Sequence, residues 1–498
     1  MAQTPGTLHA LFPAVPKDNR GRASSAFEAQ APARGSEAPG SPLQSLTRRT
    51  AAYMDALMKG RVKIFTYGCQ MNDLDSLKMY TELSKAGYVP TDSTREADVI
   101  VVNTCSVRQK ACEKAMSNLG RLASVKLRKP SAVIVVTGCV AQQEQGRILE
   151  RMGHVDIVLG THQLHLLEAL VEEARAGRGP VVAAGFSPCV PFMDTVFDHG
   201  LSPEPHRAYV TVMQGCDNYC SYCIVPYVRG PEISRDASKV LEEIRLHAGR
   251  GSREVFLLGQ NVNSYRGGMS FPELLRRIHD IEGIDRIRFT TSHPKDAGDD
   301  LVACFKDLPK LCSHIHLPFQ SGSNRVLAAM NRKYTKETYL ELVSKFRQAR
   351  PDMAFSADVI VGFPGEGVND FDETMDVVER VRFDVLFSFK YSVRPNTKAA
   401  SLVDDVHGEE KSRRLDILQR RQREITLENN RLRVGGVYDV LVDGASKKHE
   451  HQVHGRTTHN VIVNFDGPRE LTGSIVKVRI TRANPNSLTG ELLASPPS

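Results

Sequence analysis

Cys216-Asp217-Asn218-Tyr219-Cys220-Ser221-Tyr222-Cys223 follows a short apolar run, Tyr209–Met213, and precedes a helical pattern, Ala237–His247. Three thiols at CxxxCxxC spacing can each ligate one iron of a 4Fe–4S cube. The fourth iron then has no protein ligand, which is the open position a reactive metal site needs. A zinc site is the competing reading, but no fourth Cys or His stands at finger spacing. Five more strand-like runs follow: Val255–Leu258, Arg286–Phe289, His314–Leu317, Asp358–Val361 and Leu386–Lys390. Helical patterns such as Phe271–Ile281 and Lys336–Gln348 separate them. Six βα units are too few to close an eight-stranded barrel, so the fold class is α/β with a partial (βα)6 barrel. Its chemistry is expected at the carboxyl ends of the strands.

Upstream the same rhythm appears at Val62–Phe65, Val99–Val102, Val133–Val136 and Val155–Leu159, with helical stretches Leu74–Lys85 and Ala111–Leu127 between. Alternating strands and helices predict a parallel sheet covered on both faces. Cys69, Cys105 and Cys139 each follow one of these strands, about one βαβ repeat apart. Parallel strands share a direction, so all three reach one edge of the sheet. A lone cysteine is more often a small core hydrophobe. Three in one register point to a second cluster site, again with an open iron. Cys112, Cys189, Cys304 and Cys312 fit neither set and read as structural.

The flanks differ. Residues 1–59 are rich in Ala, Pro, Gly and Ser and read as a disordered extension, with a short helix between Ser45 and Met58. A transit peptide is a second reading, against which Asp18, Glu28 and Glu37 weigh. No basic start leads into an apolar core, and no run of eighteen apolar residues occurs, so neither export nor a membrane span is expected. Prolines 180, 188, 191, 203 and 205 suggest a linker. Residues 408–433 form a charged helical stretch. Beyond Gly435, four alternating runs predict a small OB-like β-barrel: Val437–Val442, Val461–Phe465, Ile475–Ile480 and Leu488–Leu493. The expected division is therefore 1–59, 60–176, 202–433 and 434–496. A net charge of +7 is compatible with a polyanionic partner without demonstrating one.

The octapeptide, with an aromatic before its last cysteine, resembles the radical S-adenosylmethionine (SAM) superfamily. With the spread set Cys69, Cys105 and Cys139, the chain resembles the methylthiotransferase branch over residues 61–494. Five phrases are similar to those of bacterial tRNA 2-methylthio-N6-isopentenyladenosine synthases: Tyr67-Gly68-Cys69-Gln70-Met71-Asn72, Gln214-Gly215-Cys216-Asp217-Asn218, Cys223-Ile224-Val225-Pro226-Tyr227-Val228-Arg229-Gly230, Leu258-Gly259-Gln260-Asn261-Val262-Asn263-Ser264-Tyr265 and His316-Leu317-Pro318-Phe319-Gln320-Ser321-Gly322-Ser323. One departure is Asn396 in Arg394-Pro395-Asn396-Thr397, where the family usually has Gly; Asn tolerates left-handed angles.

The resemblance implies two 4Fe–4S clusters. The one on Cys216, Cys220 and Cys223 would cleave SAM to a 5′-deoxyadenosyl radical. The one on Cys69, Cys105 and Cys139 would deliver sulfur, and a second SAM the methyl group. The substrate would be tRNA carrying N6-isopentenyladenosine 3′ of the anticodon, attacked at C2 of the adenine. Tyr222 would pack near the adenine of SAM. Gln260, Asn261, Ser292, Gln320 and Gly362 lie after strands at the rim where such enzymes touch SAM, although turn-forming roles explain them nearly as well. A low-potential electron donor such as flavodoxin or ferredoxin, a sulfur donor and a cytoplasmic location also follow. The last domain corresponds to TRAM, an RNA-binding module, and Lys447, Lys448 and Arg456 suit an RNA backbone; an ordinary solvated surface is the equal alternative. Two other substrates stay open here, N6-threonylcarbamoyladenosine in tRNA and an aspartate of a ribosomal protein. So does a non-catalytic iron–sulfur RNA-binding redox sensor.

Overall fold

The computed structural model describes residues 58–187, 192–193, 204–446 and 451–493. The expected amino-terminal extension up to residue 57, Cys189, Lys447 and Lys448 lie outside them. The first unit is a six-stranded sheet: β1 (Gly60–Thr66), β2 (Tyr88–Pro90), β3 (Val99–Thr104), β4 (Val133–Gly138), β5 (Ile157–Leu159) and β6 (Val181–Ala183). Its order is β2-β1-β3-β4-β5-β6, and every pair is parallel. β3 and β4 are buried at every position, because apolar clusters cover both faces. β6 falls inside the proline-rich stretch expected to be a linker. Its three residues, Val181, Val182 and Ala183, pair with β5 at the sheet edge, a run too short to stand out between prolines.

The second unit begins with β7 (Arg207–Thr211), followed by a small ribbon of β8 (Met213–Gln214) and β9 (Ile233–Ser234). Then come β10 (Glu254–Leu258), β11 (Arg286–Thr290), β12 (His314–His316), β13 (Ala354–Val361) and β14 (Val385–Lys390). They form two parallel three-stranded sheets, β11-β10-β7 and β12-β13-β14, linked where Ile287 bridges Leu311. β7 and β14 do not pair with each other among the described residues, so the arc is open. One face of these strands packs on the helices through Val210, Leu257, Phe289, Ile315 and Val359. The alternate residues point into the lumen.

The last unit is a closed five-stranded barrel, β15 (Val437–Ala445), β16 (Gln452–Thr457), β17 (Ile462–Asp466), β18 (Ile475–Ala483) and β19 (Leu488–Leu492). The sequence reading has four of these strands and misses β16. Its inward positions are Val453, Gly455 and Thr457, and only the first has strong apolar character. Gly455 is required there, since a Cβ would stand 2.2 Å from the Leu441 carbonyl oxygen.

The small barrel closes the lower end of the lumen through a buried ion network. Glu254 accepts from Arg207 at 2.5 Å and from Arg288 at 2.7 Å. Arg207 also reaches Asp443 of β15 at 3.0 Å. Arg286 donates to the carbonyls of Asp439 and Arg456, and Arg288 to those of Thr457 and Thr458. Burial alone would raise the Glu254 carboxyl, but Arg288 and Arg207 outweigh it and bring it down to about 2. A depressed carboxylate stabilises the fold above its unfolded pKa, and this contribution is lost as pH falls towards 2. Glu254→Gln should leave the buried Arg288 without a carboxylate, while Arg207 keeps Asp443 and Glu204, and should cost about 3 kcal/mol, read as a lower melting temperature at pH 7. The variant should also lose the wild type's extra acid sensitivity between about pH 4.5 and 2.

Candidate functional site

The three spread cysteines end three neighbouring strands. Cys69 caps the helix Gln70–Lys85 after β1, Cys105 follows β3, and Cys139 opens the helix Cys139–Glu144 after β4. Two glycines let them crowd. Gly68 has φ +141°, and a Cβ there would lie 2.6 Å from that of Cys105. Gly138 has φ +89°, with no room beside the Thr104 carbonyl. A buried amide network fixes the floor: Asn72 donates to Asn103 at 2.9 Å and to the Thr104 carbonyl at 3.0 Å, and Asn103 donates back to the Asn72 carbonyl at 2.9 Å. A hydrogen bond with Cys105 brings the Cys69 thiol down to about 6 despite burial, while the same bond pushes Cys105 up. Burial raises Cys139, and the nearby Arg229 opposes it.

The CxxxCxxC loop lies at the carboxyl end of β7. Gly215 has φ +79° and sits so close to the Pro231 carbonyl that no side chain fits. Its N–H donates to Gln260 Oε1 at 2.6 Å. Ser221 is clamped to the segment behind it, its N–H on the Met330 carbonyl at 2.9 Å and its hydroxyl on that of Ala329 at 2.8 Å. Burial pushes Cys216 up to about 11 and Cys223 up to about 12. Arg332 donates to Cys220 Sγ at 3.4 Å. All nine cysteines among the described residues are free. No three His, Cys, Asp or Glu side chains among those residues converge tightly enough to chelate a single ion. A cube asks less, because each thiolate binds its own iron. The positive charge of an iron core would favour the thiolate form of the buried Cys216 and Cys223, and the guanidinium of Arg332 beside Cys220 would offset the negative charge that three thiolates bring.

The two cysteine sets meet across one buried pair. Arg229, from the helix Val225–Arg229 just beyond the second set, donates to Asp75 Oδ2 at 2.8 Å. Asp75 belongs to the helix that Cys69 caps. Both side chains are buried, and the Arg229 charge acts on Cys139 and Cys69. Met71 and Leu74 of that helix also pack on Leu258, Tyr209 and Phe256 of the partial barrel. Lys78 from the same helix reaches Thr211 at 3.4 Å.

This three-unit architecture matches known proteins along its length. Residues 61–160 match the model of the uncharacterized protein family UPF0004, residues 210–378 the radical SAM superfamily and residues 431–493 the TRAM domain. The tRNA-2-methylthio-N(6)-dimethylallyladenosine synthase of Geotalea uraniireducens is 51% identical over 436 residues, 86% of this chain and 97% of that protein. The enzyme of the same name from Geobacter metallireducens is 51% identical over 438 residues, covering 86% and 97%. The chain belongs to this synthase family. A radical SAM methyltransferase from Kitasatospora setae, TsrM, solved with cobalamin and a 4Fe–4S cluster, shares the fold at a TM-score of 0.51, with 14% identity over 69% of this chain and 74% of that one. Family membership does not favour the threonylcarbamoyladenosine, ribosomal-protein or redox-sensor alternatives.

The expected SAM-side residues gather at the barrel mouth in different ways. Tyr222 is half-buried against Val326, Met330 and Phe363. Asn261 donates to Asp296 at 2.8 Å, and its Oδ1 has no partner. The buried hydroxyl of Ser292 and the Gln214 amide nitrogen also lack one. Unpaired buried polar atoms around one mouth fit a polar ligand such as SAM. Gln320 holds φ +65° and bridges to Val359 through its backbone. Gly362 has φ +69°, and a Cβ there would stand 2.3 Å from the Lys411 side chain. Arg456 is half-buried and faces Asp443 at 3.5 Å, inside the interdomain ion network rather than on a free basic surface.

Arg332, Asp75 and the interdomain role of Arg229 escape the sequence reading, since nothing local marks a surface-type residue as buried in an interface. Arg229→Met should leave Asp75 buried without a partner and cost about 3–5 kcal/mol. Adding Asp75→Asn should recover part of that loss. A double-mutant cycle on melting temperature checks it, and strictly additive losses would count against the pair as the joint between the units.

Proposed function

We propose that this chain converts N6-isopentenyladenosine to 2-methylthio-N6-isopentenyladenosine in tRNA, at the base 3′ of the anticodon. The observation that carries the reading is the meeting of two separate cysteine triads, each at the carboxyl edge of a parallel sheet, across the Arg229–Asp75 pair. Cys216, Cys220 and Cys223 would hold the cluster that binds SAM. Cys69, Cys105 and Cys139 would hold the cluster that carries sulfur. When bound, these groups supply a radical strong enough for an sp² C–H bond, together with sulfur and a methyl group. The protein's own work is to keep the two triads close, dry and in fixed register. Gly68 and Gly138 permit the crowding, the Asn72–Asn103 network holds it, and Arg332 steadies Cys220. Tyr222, Gln260, Asn261, Ser292 and Gln320 are the residues assigned to the SAM side.

The reading also takes the division 60–176, 202–433 and 434–496 as working domains, with β6 adding a strand to the first beyond residue 176 and the last gripping RNA through Lys447 and Lys448. A low-potential electron donor and a sulfur donor are required partners. No helix among the described residues is long and apolar enough to cross a membrane, and the proposed location is the cytoplasm. The target base must leave its stack, which an anticodon-loop base does at lower cost than a base in a duplex.

Anaerobic reconstitution should give about eight irons per chain, and replacing Cys216, Cys220 and Cys223 together by Ala should leave about half. Loss of all iron, or none, would sink the two-cluster reading. Cys105→Ala should still cleave SAM under dithionite yet form no methylthiolated nucleoside by mass spectrometry. Abolished SAM cleavage in a folded Cys105→Ala protein that keeps its other cluster would contradict the division of labour. Lys447→Ala with Lys448→Ala should weaken tRNA binding and flatten its salt dependence by up to about 1.4 in log–log slope, if both lysines meet single-stranded phosphates.

A further inference from the structure

The lumen of the partial barrel is occupied at its lower end and along one side. Arg207, Glu254 and Arg288 fill the base with ion pairs. Met71 and Leu74 cover Tyr209 and Phe256 on the β7–β10 side. The opposite side is different. Register places Ser356, Asp358 and Ile360 of β13 beside Val385, Phe387 and Phe389 of β14. These share the lumen face, since Ala357, Val359 and Val361 lie in the helix-side core. Val385, Phe387 and Phe389 are 41%, 45% and 40% exposed, although they are apolar residues on a regular strand. The edge strand β14 thus shows a continuous apolar strip to the open lumen.

Polar groups flank the strip. The rings of His316 and Phe387 meet edge to face at 6.0 Å. His316 Nε2 lies 3.4 Å from Asp358, and its Nδ1 lies 2.9 Å from the Ser356 hydroxyl. The strip also leads toward both cysteine sets. Ile360, the neighbour of Phe389, packs in the cluster that holds Tyr222. Just past β14, Ser392 donates to Gln109 at 3.1 Å and Arg394 to the Val107 carbonyl at 2.9 Å, both in the segment following Cys105.

From this we infer that Val385, Phe387 and Phe389 form the specificity wall for the isoprenoid-bearing adenine, with the His316–Asp358 pair at its polar edge. The inference rests on the substrate reading above. A flat aromatic base with a branched five-carbon chain matches an aromatic and aliphatic strip in size and polarity. With C2 turned toward the cysteine end, the N6 substituent lies down the strand over Phe387 and Val385. An unprenylated adenine leaves that surface wet, so the strip discriminates by apolar burial.

The test compares two synthetic anticodon stem-loops, with and without the N6-isopentenyl group. For Phe387→Ala, affinity for the prenylated stem-loop should fall about tenfold and that for the unprenylated one less than about twofold. KM should rise more than kcat falls, while iron content and melting temperature serve as folding controls. Phe387→Leu should keep most of the preference. In the wild type, a stem-loop with a diazirine on the prenyl group should crosslink to the peptide spanning 385–389, a result independent of any variant. Crosslinks confined elsewhere, or equal affinity losses for both stem-loops, would overturn the wall, as would a lowered melting temperature with the preference intact, which would mean that another part of this chain covers the strip. These outcomes count against the wall alone when the wild type forms methylthiolated product. A wild type that forms none removes the substrate reading, and the wall with it.

Discussion

Arg229 brings a positive charge into the interior between two parallel sheets, and Asp75 answers it at 2.8 Å. Neither group could stay charged there alone, because an unpaired buried ion costs several kcal/mol. The pair therefore forces the helix behind Cys69 and the loop behind Cys223 into one arrangement. The other features of the junction agree with it. Met71 and Leu74 seal the lumen beside the pair, and Lys78 reaches across to Thr211. Chemistry that needs two cysteine triads at once depends on such a joint, since flexible domains would leave them at variable separation.

The lumen is graded from base to mouth. Its base is ionic and closed by the carboxyl-terminal barrel, with Glu254 shared between Arg207 and Arg288. Its mouth carries thiols and several buried polar atoms without partners. Between them, on β14, lies an apolar strip left uncovered, whereas Met71 and Leu74 cover the apolar residues of β7 and β10. This grading follows from parallel strands: all carboxyl ends point to one side, so binding groups accumulate there and structural ion pairs sit at the other end. The same geometry explains why Arg456, basic and near the surface in sequence terms, is drawn into the interdomain network. The small barrel docks by β15 and β16: Asp443 meets Arg207, and Arg456 lies against Asp443 while its carbonyl accepts from Arg286.

Much was legible in the chain itself, for local reasons. Strand and helix periods are short-range patterns, so the repeats at Val99–Thr104 and Val133–Gly138 could be read directly. Cysteine register follows from those repeats, because parallel strands leave no choice of edge. The CxxxCxxC spacing lies within eight residues and needs no folding to be seen. The strands β6 and β16 were not legible. One is three residues long, and the other puts Gly and Thr where an apolar signal would stand. Only the tertiary structure decided that Arg229 meets Asp75, that Lys411 takes the space beside Gly362, and that Phe387 and Phe389 face an open lumen. Each of these depends on contacts between residues far apart in the chain, and a charge or an aromatic ring carries no local mark of the surface it will meet.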